Sequence, residues 1–140
     1  MVRMLTDEEI PMPDTTPIEV FTAATKAFTA HRADGWLAYA HEDIVLEFPF
    51  APEGLPRRVE GKAAVEQYLQ EVPGQVEFED VAILRAHQTV DPATAVIEWT
   101  ASGQIKATGA PYEMTYAVVV TLVDGLMAGY REYWNPLVAL

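Results

Sequence analysis

The stretch Tyr112–Trp134, YEMTYAVVVTLVDGLMAGYREYW, decides the fold. Two apolar runs rich in β-branched and aromatic residues flank Asp124-Gly125, a dipeptide that favours the positive φ angles of a tight hairpin turn. The pattern predicts two long antiparallel strands, Tyr112–Val123 and Leu126–Trp134. Only turns separate the preceding runs as well: a strand from Gln75 onward, another over about Thr94–Lys106, then the turn Thr108-Gly109-Ala110-Pro111. In the first of these, Val76 and Phe78 share one parity and Val81 and Ile83 the other, so a β-bulge is expected near Glu79-Asp80. Such a bulge bends a sheet.

The N-terminal half has helical periodicity. Thr16 and Glu19 stand at capping-box spacing around Pro17, and Val20, Phe21, Ala24, Ala27 and Phe28 form one apolar stripe, predicting a helix over about residues 16–31. Asp34-Gly35 interrupts that stripe. Trp36, Leu37 and Tyr39 then suit a short second helix ending near His41. Residues 43–50, DIVLEFPF, alternate with Ile44, Leu46, Phe48 and Phe50 on one face, as a strand does. The segment APEGLPRRVEG reads as a loop carrying Arg57-Arg58, and a third helix follows over about 62–72. Helices first and a long curved sheet afterwards imply an α+β fold. We expect a cone-shaped, mainly antiparallel sheet packed against three helices of the N-terminal half, enclosing a pocket.

The chain has 140 residues, the size of one domain; residues 1–14 read as a flexible N-terminal arm and 15–140 as the domain. Acidic residues number 21 against 9 basic ones, giving a net charge of −12 that argues against nucleic-acid binding and against anionic membrane surfaces. Cysteine is absent, which removes thiolate chemistry and disulfides. No export signal or membrane-spanning run is legible, so a cytoplasmic location is expected. His31, His41 and His87 share no ligand spacing, so no metal site is expected. Phosphate-binding glycine loops and a nucleophile elbow are also missing, and no cofactor is expected.

Within the last strand, Ala128, Tyr130, Glu132 and Trp134 share one parity, and the size of Trp134 favours that parity as the inward one. Glu132 is then a partly desolvated carboxyl, and desolvation raises a carboxyl pKa toward the range useful for acid/base work near neutrality. Glu47 and Glu98 oppose their bulky neighbours and read as solvent-side residues. Tyr116, on the face of Met114 and Val118, is a candidate donor to a developing oxyanion. Phe28, Phe48, Phe50, Trp99, Met114, Tyr130 and Trp134 are the expected substrate-binding lining, suited to a small apolar molecule.

Residues 37–50 (LAYAHEDIVLEFPF), 57–69 (RRVEGKAAVEQYL), 108–116 (TGAPYEMTY) and 123–136 (VDGLMAGYREYWNP) occur in an order that resembles the SnoaL-like branch of the nuclear transport factor 2-like superfamily. That group includes ketosteroid isomerases, polyketide cyclases of secondary metabolism and phenazine-biosynthesis A/B-type proteins. The resemblance implies a cone of bent sheet and three helices, a homodimer, and Glu132 as the match to the terminal-strand acid/base glutamate of phenazine-type members. The ketosteroid isomerase pattern expects an aspartate where Phe48 stands, an acid near Tyr116, and a tyrosine in the first helix where none occurs, so true ketosteroid isomerase activity is not expected. The functional expectation is an isomerase or cyclase moving a proton in a cyclic or polyketide-like carbonyl compound. The alternatives are a non-catalytic small-molecule-binding or association module, and an epoxide hydrolase or dehydratase, which would need an Asp and Arg network.

Overall fold

The computed structural model describes residues 15–137. The arm expected over residues 1–14 lies outside the described residues. The first helix, α1 (Pro17–Leu37), starts at the expected capping box: Glu19 N–H donates to Thr16 Oγ1 and Thr16 N–H to Glu19 Oε1, each at 3.1 Å. A break at Arg32 (φ +59°, ψ −145°) splits α1 into two helical pieces. The interruption therefore falls at Arg32, where the guanidinium pairs with Glu77, and Asp34-Gly35 is helical.

The second piece ends at Leu37, short of the expected boundary near His41. His41 belongs instead to β1 (Ala40–Glu47), because Met127 N–H donates to Tyr39 O and Ala40 pairs with Met127, which draws this segment into the sheet. Strand β2 (Arg58–Glu60) lies inside the segment read as a loop and pairs antiparallel with β1. Helix α2 (Lys62–Glu71) follows Gly61, whose φ of +90° suits glycine at the helix entry.

The long strands are β3 (Val76–Gln88), β4 (Thr94–Ile105), β5 (Pro111–Val123) and β6 (Leu126–Trp134). They form one sheet in the order β2-β1-β6-β5-β4-β3, antiparallel except for the parallel β1–β6 pair. This is the expected α+β architecture of helices against a curved, mainly antiparallel sheet. The register of β3 on β4 skips a residue between Phe78 and Asp80, where the parity change predicted a bulge, and again between Ile83 and Arg85. Gly103 lies opposite Phe78, and a Cβ there would sit 2.0 Å from the Glu77 carbonyl oxygen. The glycine thus permits the close backbone approach that the bend requires.

The core lies between α1, α2 and the concave face of the sheet. Phe21, Ile44, Leu46, Ile97, Val118, Val120 and Met127 are fully buried. Among the described residues no helix is long and apolar enough to cross a membrane.

Candidate active site

The concave face of the sheet is a ladder of residue rows, and its register sets the site. Ile97 faces Val118, which faces Glu132. One pleat further along, Trp99 faces Tyr116, which faces Trp134. Beyond that row β5 presents Met114 and then Tyr112. Helix α1 adds Thr25 and Phe28, and α2 adds Tyr68 and Leu69, so that a cavity of about 120 Å³ remains between helices and sheet.

The inward parity of Tyr130, Glu132 and Trp134 holds, and all three line the cavity. It does not extend to Ala128. Thr121 faces Gly129 while Leu122 faces Met127, so Ala128 is an extra residue in β6 and Met127 occupies the core in its place. Phe48, Trp99, Met114 and Phe28 line the cavity as expected. Phe50 does not. Pro49 and Phe50 form a turn that ends the alternation, and Phe50 is 54% exposed, packed against Tyr133 on the outer side with ring centroids 5.2 Å apart. Glu47 and Glu98 stand on the solvent side, paired with Arg58 and Arg85 at 3.0 and 2.9 Å. His87 is also exposed.

Among the described residues Glu132 is the only carboxyl in the lining, and no Lys, Arg or His joins it there. Burial pushes its pKa up to about 7, opposed by the Tyr130 hydroxyl and by the Trp99 indole. Tyr130 Oη donates to Glu132 Oε2 at 2.8 Å. The Trp99 indole N–H favours the Glu132 carboxylate but has not reached hydrogen-bond geometry: its Nε1 is buried without a partner. Burial also raises the pKa values of Tyr68, Tyr112, Tyr116 and Tyr130, so these phenols remain neutral donors across the physiological range.

Tyr116 lies in the cavity as the sequence predicts, with its hydroxyl hydrogen-bonded to that of Tyr112. Tyr112 was missed, although it shares the parity of Met114 and Tyr116; Tyr68 was missed because an amphipathic helix does not show which of its polar-tipped residues tilts into a cavity. Phe48 stacks on Tyr68 at 5.0 Å and meets the edge of Trp134 at 5.5 Å, closing the floor with apolar rings. The arrangement offers one proton-exchanging carboxyl among aromatic walls, with several neutral hydroxyl donors. Among the described residues no three His, Asp or Glu side chains gather as a metal cage would require.

The sequence pattern of the SnoaL-like domain matches residues 21–130. The chain belongs to the SnoaL-like family. Among SnoaL-like relatives, the uncharacterized protein YesE of Bacillus subtilis strain 168 is 39% identical over 103 residues, covering 74% of this chain and 70% of its own. An uncharacterized PhzA/B-like protein, PA3332 of Pseudomonas aeruginosa, is 35% identical over 107 residues, covering 75% and 74%. A Bacillus subtilis crystal structure provisionally assigned as an isomerase superposes with a TM-score of 0.80 at 33% identity, covering 86% of this chain and 87% of that one. RV0760c of Mycobacterium tuberculosis, solved in complex with estradiol-17beta-hemisuccinate, shares the fold alone, with a TM-score of 0.75, 19% identity and coverage of 87% and 95%. The family named from the short phrases of the sequence is therefore the family shown, and it includes isomerases.

Proposed function

We propose that this SnoaL-like protein is an enzyme of the isomerase or cyclase type, in which Glu132 transfers a proton within a small, uncharged cyclic or polyketide-like carbonyl compound. The observation that carries this reading is a buried carboxyl whose pKa is pushed up to about 7 by burial, open to an apolar cavity with no counter-cation among the described residues. A group with that pKa populates both protonation states at neutral pH, as a general acid/base must. The carboxylate takes a proton from carbon adjacent to the carbonyl, the electron pair moves onto the carbonyl oxygen, and the Tyr112–Tyr116 hydroxyl pair supplies a neutral donor to that enolate. Protonated Glu132 then returns the proton at another carbon. Burial of the cavity keeps competing water from the enolate.

Among the described residues the lining contains neither Asp nor Arg, and so no network of the kind the epoxide-hydrolase alternative needs. An uncharged substrate follows from the same lining: a carboxylate-bearing ligand would meet no cation and would face Glu132. The test is hydrogen exchange in deuterated water over a panel of cyclic ketones and β-diketones, read by NMR. The unaltered protein is expected to accelerate exchange at carbon adjacent to the carbonyl, and Glu132→Gln to lose that acceleration by about 100-fold or more. Equal acceleration by the two proteins would remove Glu132 from the chemistry, and no acceleration by either would leave a binding module.

A further inference from the structure

Trp99 carries the one buried side-chain polar atom among the described residues that has no hydrogen-bond partner. Orphaned buried donors are rare in folded proteins and call for a physical reason. The ring itself is firmly held. It stacks on Tyr116 with centroids 4.3 Å apart and an interplanar angle of 17°, and Phe21 meets its edge at 5.6 Å. The indole cannot turn its N–H toward solvent without losing both contacts.

Its position relative to Glu132 follows from the register. Trp99 and Glu132 share the concave face, on strands separated by β5, in adjacent rows of the ladder. Tyr130 Oη–H occupies Glu132 Oε2, and no described hydrogen bond reaches Oε1. In the neutral acid the proton therefore belongs on Oε1. Once that proton has passed to a ligand or to water, Oε1 becomes an acceptor in an apolar site, and the buried indole N–H, which already favours the Glu132 carboxylate, is an unused donor.

We infer that Trp99 Nε1–H closes onto Glu132 Oε1 when the carboxyl ionises, making Trp99 a positioning residue that fixes the carboxylate between two donors, Tyr130 and the indole. In the protonated state the same N–H is unpaired. The arrangement thus couples the indole to the ionisation of a single group. The other titratable side chains facing Glu132 are Tyr130 on its own strand, Tyr112 and Tyr116 on β5 and Tyr68 on α2, all phenols held neutral by burial. Among the described residues no Lys, Arg or His lines the cavity, so a transition that is lost in Glu132→Gln belongs to Glu132. The inference rests on Glu132 as the ionising group of the pocket, but its test needs no substrate.

The experiment follows the three indole ¹H–¹⁵N signals of the full chain from pH 5.5 to 8.5, with Trp99 assigned by elimination in Trp36→Phe and Trp134→Phe. The Trp99 signal is expected to move downfield with a midpoint of about 7, and to stay fixed in Glu132→Gln. A signal that does not move, or that moves equally in Glu132→Gln, overturns the inference. Trp99→Phe keeps the stacked ring and removes the donor; the Glu132 midpoint, read from its side-chain carboxyl ¹³C shift, is expected to rise by about one pH unit. An unchanged midpoint in a folded variant also overturns it. If Trp99→Phe does not fold, the indole titration of the unaltered chain decides the matter. Failure of ketone exchange with an intact indole titration would remove the proposed reaction and leave the coupling in place.

Discussion

Glu132→Gln removes one ionisation from the core while keeping the side chain's length and its contact with Tyr130. Its effect on stability depends on pH with a sign that the burial of Glu132 dictates. In the unfolded chain this carboxyl titrates near its ordinary value of 4.5; in the folded protein it keeps its proton up to about 7. Between those values the folded state holds a proton that the unfolded state has released. Stability therefore falls as pH rises through this window, reaches its full loss above pH 7 and suffers none below pH 4.5. At about 1.4 kcal/mol per pH unit, the loss is on the order of 3 kcal/mol, a large share of the stability of a small domain. Gln carries no charge, so the variant escapes the loss. Urea unfolding of both proteins, followed by tryptophan fluorescence at pH 4.5 and 8.0, measures it. The stability of Glu132→Gln relative to the unaltered protein is expected to improve by roughly 3 kcal/mol between the two pH values. The contribution of Glu77, whose pKa is lowered by Arg32, is common to both proteins and cancels. Parallel pH curves would refute the reasoning, because they would mean that Glu132 ionises alike in both states.

Other perturbations act on separate parts of the structure. Tyr130→Phe removes the hydroxyl that donates to Glu132 Oε2, and the Glu132 midpoint is expected to rise by about one pH unit in a side-chain ¹³C titration. Gly103→Ala places a Cβ 2.0 Å from the Glu77 carbonyl oxygen, and thermal unfolding is expected to show a loss of about 1–3 kcal/mol as β3 is forced away from β4. Phe50→Ser lies outside the cavity and is expected to leave the affinity for any cavity ligand unchanged, whereas Phe48→Ala opens the cavity floor and costs about 3–5 kcal/mol in chemical denaturation.

The four long strands were legible because their alternation is sustained and their turns carry Gly, Pro and Asp at the required places. The bulge of β3 at Glu79 was legible too, since apolar residues that change parity within one strand can stay on one face only if a residue is inserted between them. The bulge of β6 at Ala128 was not: Met127 and Ala128 are both apolar, so neither parity is marked by a polar residue, and only pairing with Thr121 and Leu122 fixes which one enters the core. Phe50 was misplaced for a related reason, as alternation was carried through Pro49 into residues that form a turn. Strand β2 is three residues long and bounded by glycine and prolines; its place beside β1 depends on tertiary pairing, accompanied by ion pairs of Arg58 with Glu47 and Glu60. In the site, Glu132 and Trp134 followed from a single strand's parity. The contribution of Tyr68 and the orphaned N–H of Trp99 arise between elements distant in sequence, and no local pattern encodes them.

The central claim is that Glu132 is a buried carboxyl that exchanges its proton near neutral pH. A ¹³C titration of the Glu132 side-chain carboxyl in the full chain, assigned by loss of the signal in Glu132→Gln, tests it most directly. The expected midpoint is about 7. A midpoint near the ordinary 4.5 would contradict the claim.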